Sequence, residues 1–153
     1  MNTPDAMPPA VEVFYGLFAG LSFLSGLAIT VLFTLYRELR KGPGSLILGQ
    51  SVAQMILDFH WFTYFIEFHT PSCRALGGIA FFAYSLAFAY AVLVCWVVFK
   101  HFYDHYIPVI YTAVYHTICI GAAGIATAIA GSIGDFGKSI MDTCFTEPAT
   151  KAE

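Results

Sequence analysis

Three residues at a four-residue spacing carry the strongest chemical signal in this chain. Gln50, Gln54 and Asp58 fall on one face of a helix at that interval, with Ser51 beside them. In a poorly solvating interior, a carboxylate among amides can serve as an ion site, a proton site or a switch. The plainer reading is a hydrogen-bonded carboxyl that holds helices together. Both readings require Asp58 to face protein or water and not lipid.

A second stripe, His60, Tyr64 and Glu67, lies roughly 200° away round the same helix. It can meet a ligand from outside, or simply cap the helix at the interface with Trp61 and Tyr64 in the aromatic belt. The interfacial cap is the plainer of the two. The five histidines do not make a haem pocket, which needs two of them at matching depth on facing helices. His60 has no partner at its depth except His69 in a loop, whereas His101, His105 and His116 lie toward the other side. An inner pair such as His101 with His116 is the one combination left open. The same scatter speaks against a zinc site, which wants three or four converging ligands. No cofactor and no metal is expected. GxSxG, Walker and HExxH motifs are missing, and no extramembrane stretch is long enough for a catalytic domain, so the chain is not read as an enzyme.

These residues must be positioned by elements of unusual composition. The 153 residues are 58% hydrophobic and 11% charged, against roughly 25% charged in soluble domains. A net charge of −3 offers no basic patch for nucleic acid. Four apolar stretches, 13–36, 46–68, 75–99 and 109–131, each exceed the roughly 20 residues that cross the hydrocarbon core. Because backbone amides in lipid must bond within their own segment, helices are expected. The reading is an all-α integral membrane protein, a four-transmembrane-helix up-down bundle whose short connections make consecutive helices antiparallel neighbours.

Orientation follows from the bases. Arg37, Arg40 and Lys41 cluster in the first connection, where Gly42-Pro43-Gly44 breaks the helix, and Lys100 ends the third helix on the same side. The other side carries Arg74 and Lys138 among Asp5, Glu12, Glu67, Asp135, Asp142 and Glu147. This bias puts both termini outside, with 1–12 and 132–153 as outer segments. Acids before the first helix and bases after it are the reverse of a cleaved signal peptide. Cys73 and Cys144 then both lie outside, where a bridge is permitted; two free thiols are the alternative. Cys95 and Cys119 are read as small hydrophobes in the core. Small residues mark packing faces: Gly16 and Gly20 with Ser22 and Gly26 in the first helix, Ala83, Ala87 and Ala91 in the third, and Gly121 through Gly134 in the fourth.

Taken in order, several of these features resemble the first half of a seven-helix G-protein-coupled receptor, nearest the cyclic-AMP-receptor-like and secretin/adhesion-like groups. The resemblance runs from Val13 to Cys144. It rests on the basic first inner loop, on Ser51 and Asp58 as S-x6-D, and on Cys73 at the top of the third helix. It continues with Tyr115-His116-Thr117-Ile118-Cys119-Ile120-Gly121, similar to the Y-H-x-x-C-W-G run of the fourth helix, and with Cys144 as the outer-loop cysteine. The chain departs from the family at Ile120 and Ala123, where Trp and Pro are usual, at Phe145, where Trp is common, and in carrying only four of the seven helices.

The resemblance implies an outer pocket formed partly by helices two and three, with His60, Tyr64 and Glu67 toward the ligand. It also implies an inner surface at Arg37, Arg40, Lys41 and Lys100 for a cytosolic transducer, a heterotrimeric G protein, in the plasma membrane. The expected role is ligand-dependent signalling without catalysis, by a receptor or a fragment of one. The rival is a structural or assembly subunit packed against neighbouring membrane subunits. A small-solute or proton carrier using Asp58 ranks third, since repeats and broken helices are lacking.

Overall fold

The computed structural model describes residues 9–63, 73–104, 109–134, 136–138 and 144–146. Four long helices account for most of them: α1 Pro9–Leu35, α2 Pro43–Thr63, α3 Cys73–Asp104 and α4 Val109–Ile133. Three segments, Val13–Leu35, Arg74–Lys100 and Thr112–Ile133, are long and apolar enough to cross a membrane. The second helix falls short of that mark because Ser45, Gln50, Ser51, Gln54, Asp58 and His60 share its 21 residues. Its expected end at 68 lies outside the described residues.

Between α1 and α2 the chain turns through a short 3-10 helix, Arg37–Arg40. Gly42 takes φ 58°, a left-handed conformation open to glycine at little steric cost. Pro43 follows as the first residue of α2, where its fixed φ suits a helix start and its missing N–H leaves no bond unmade. A side chain at Gly44 would run into the carbonyl of Leu39, so that position also needs glycine. The corner bonds its own backbone, Lys41 N–H to Glu38 O at 3.2 Å and Gly44 N–H to Lys41 O at 3.3 Å.

Consecutive helices run antiparallel. Tyr15 stacks on Trp61 at 6.4 Å between ring centroids, while further along α1 a Cβ at Gly26 would lie 2.6 Å from Met55 Cγ. The ring of Tyr90 in α3 fills the space beside Gly49 in α2, where a Cβ would sit 2.7 Å from Tyr90 Cζ. Helix α2 packs against α1, α3 and α4, and α3 against α2 and α4. Helix α1 rests on α2, with no comparable packing against α3 or α4 among the described residues, so the arrangement is open along one side. The core holds Leu46, Ala53, Ala87, Tyr90, Val97 and Cys119. Small residues on α3, including Ala80, Ala83 and Ala87, allow the close approach.

Beyond the four helices, β1 (Phe136–Lys138) pairs antiparallel with β2 (Cys144–Thr146), Phe136 opposite Thr146 and Lys138 opposite Cys144. Both strands pack on α3, and the Phe136 ring wedges between Gly78 of α3 and Gly131 of α4, 5.8 Å from the Phe81 ring. Cys95, read as core, is exposed, whereas Cys119 is buried. Helical periodicity alone does not say which face of an apolar helix turns inward, and Cys95 falls on the side of α3 away from α2 and α4.

Candidate functional site

Two polar constellations lie inside the helical region, at opposite ends of α2. The one anticipated from spacing is local. Gln54 Nε2 donates to Asp58 Oδ1 at 2.9 Å, across one turn of the same helix. Asp58 is 4% exposed and Ser51 9%; Gln50 is half-buried. Asp58 therefore faces protein, and its Oδ2 is enclosed with no hydrogen-bond partner. An enclosed acceptor left unpaired costs about 1–3 kcal/mol, more for a charged group. The pair is therefore a local weak point of the fold.

The second constellation spans three helices and escapes a reading by local spacing. Tyr90 Oη of α3 lies 2.7 Å from His116 Nδ1 of α4, and His116 Nε2 lies 3.3 Å from Ser45 Oγ of α2. Ser45 Oγ donates onward to the Gly42 carbonyl at 3.1 Å. One assignment satisfies every group: the imidazole proton sits on Nε2 and is donated to Ser45, leaving Nδ1 to accept from the tyrosine. The Tyr90 and His116 rings meet edge-on at 5.5 Å. The chain of bonds thus runs from the core to the corner glycine. It lies about 20 Å along α2 from Asp58 at 1.5 Å per residue.

The other anticipated residues are dispersed. His60 is half-buried, its ring edge-on to Trp61 at 5.9 Å; Tyr64 and Glu67 lie outside the described residues, as does His69. Arg37 is exposed and Lys100 half-buried. Arg40 Nη2 donates to the Thr34 carbonyl at 2.9 Å, and Lys41 pairs with Glu38 at 2.6 Å. Cys73 opens α3 and Cys144 opens β2, but their side chains lie outside the described residues, so the expected bridge does too. Among the described residues no group of three His, Cys, Asp or Glu gathers to hold a metal. His116 has both ring nitrogens engaged with protein.

Such an arrangement binds three helices to one another. No family model, curated protein or solved structure matches the chain.

Proposed function

We propose that the chain is a non-catalytic, receptor-like membrane protein, or part of one, with four membrane-spanning helices and both termini outside the cytosol. The observation that carries this reading is the Tyr90–His116–Ser45–Gly42 chain. It couples the packing of three helices to the corner beside Arg37, Arg40 and Lys41, where a cytosolic transducer would dock. Signalling needs an element with two arrangements that a ligand can bias, and a hydrogen-bonded junction of three helices is suited to that. The open side beside α1 leaves room for further helices. A Cys73–Cys144 bridge, fastening the β1–β2 pair to the outer end of α3, belongs to the same reading, as does a plasma-membrane location.

The test is proximity labelling from a tag on the 37–41 corner in living cells. Enrichment of heterotrimeric G-protein subunits, lost when Arg37, Arg40 and Lys41 are replaced by Gln, is the expected result. Labelling confined to one set of integral membrane proteins would replace the receptor reading by the subunit reading. That second reading has its own support: Gly121 and Gly124 on α4 have nothing within 4 Å of a Cβ, a groove suited to a neighbouring helix.

A further inference from the structure

We infer that the outward face of α3 is a contact surface for a second copy of this chain, paired about a two-fold axis along the membrane normal. The inference rests on the reading of the chain as membrane-spanning. It does not depend on the receptor or subunit role.

Tyr84, Phe88, Val92, Trp96, Phe99 and Tyr103 are each more than half exposed. At about 100° per residue they fall within roughly 120° of one helix surface. The opposite side of α3 carries Ala80, Ala83, Ala87 and Tyr90, all buried. Trp96 stacks with Phe99 at 6.4 Å and Phe99 packs on Tyr103 at 4.9 Å, so one end of the outward face is an aromatic ridge, with Tyr84 and Phe88 further along the same face.

Lipid is a poor occupant for this face because of one atom. The exposed serine and threonine hydroxyls of α1 and α4 are turned onto their own backbone: Ser25 to Leu21 O, Thr34 to Thr30 O, Thr117 to Ala113 O and Ser132 to Ile129 O. A tyrosine hydroxyl is too far from its own backbone to do this. Tyr84 lies three residues from the middle of the Arg74–Lys100 span. That leaves it about 10 Å from the edge of the hydrocarbon core, farther than its ring reaches. Its hydroxyl has no partner among the described residues and no water at that depth, so it calls for a group from another chain.

A second copy supplies that group. Two copies inserted the same way meet at equal depth across a two-fold axis, so the two Tyr84 residues lie at one depth along the edge of the shared face. A hydroxyl both donates and accepts, so one Tyr84 hydroxyl can donate to the other across the contact. Five half-exposed aromatic rings per copy bring together about 1,000 Å² in total, the threshold for a specific interface.

The experiment uses the full chain, donor- and acceptor-labelled, in phosphatidylcholine vesicles at falling protein-to-lipid ratio, after alkaline extraction has established insertion. Energy transfer well above that of an unrelated single-span helix at equal density is expected. Tyr84→Phe should require a several-fold higher protein-to-lipid ratio for half-maximal transfer, and Trp96→Ala more. The unfolding temperature in detergent should not change for Tyr84→Phe, whose lost hydroxyl has no hydrogen-bond partner among the described residues. Oxidation should cross-link the dimer through Cys95, which lies on the same face, and Cys95→Ser should abolish that product. Transfer at the random level overturns the inference. So does pairing that ignores Tyr84→Phe and Trp96→Ala but is lost in Gly121→Leu, which moves the contact to α4. A chain released by alkali overturns the membrane reading instead.

Discussion

At the start of α2, Ser45 shares its hydroxyl between His116 of α4 and the Gly42 carbonyl, and His116 passes the connection to Tyr90 of α3. Near the far end of the same helix, Asp58 bonds only to Gln54, one turn back, and keeps an oxygen unpaired. The first group of bonds constrains where three helices lie. The second constrains only side-chain rotamers within one helix. Buried polarity is therefore a packing device at one end of α2, while at the other it adds little to the fold and is free to do something else.

The largest effect should come from Gly49→Val. The new side chain would strike the Tyr90 ring, push it off His116, and cost about 2–3 kcal/mol as overpacking does. Thermal unfolding in detergent should show it. Tyr90→Phe removes only the hydroxyl and should cost about 1 kcal/mol, in line with interhelical hydrogen bonds in membranes. Pairing it with His116→Phe in a double-mutant cycle should reveal coupling; additive losses would mean that the three-helix chain does not act as a unit. The Gln54→Leu, Asp58→Leu double variant should stay within about 1 kcal/mol of the parent, since replacing both partners by apolar groups is nearly neutral. A drop as large as that of Gly49→Val would erase the contrast between the two ends. Smallest of all, Lys41→Met should change stability by under about 0.5 kcal/mol, because the Lys41–Glu38 pair is exposed.

Much of this contrast could be read in advance on one side only. The Gln54–Asp58 bond follows from an i, i+4 spacing, and Gly42-Pro43 marks its own corner through backbone chemistry. Tyr90 and Ser45 stand 26 and 71 residues from His116, so no local pattern joins them. The available signal was that a histidine and a tyrosine within apolar helices each need a partner. Spacing offers His116 as one of a scattered set of histidines and as part of the Tyr115–Gly121 run, and neither view points to Tyr90 or Ser45. The outward direction of Cys95 is equally hidden, since α3 is apolar on nearly every side. The β1–β2 pair has strands of three residues, too short for alternation to register.

The corner at Gly42 has a consequence for how the chain reaches its membrane. With backbone groups bonded across the turn and no room for a side chain at Gly44, α1 and α2 are joined as a preformed helical hairpin. Transfer of α2 alone would carry Gln50, Gln54, Asp58 and His60 toward lipid with little apolar surface in return. Joined to α1, whose outward side is mostly leucine, valine and phenylalanine, the polar helix belongs to a unit whose combined partitioning is favourable. An α2 that enters the bilayer only together with α1 should be left at the membrane surface when the corner is lengthened with a flexible insert.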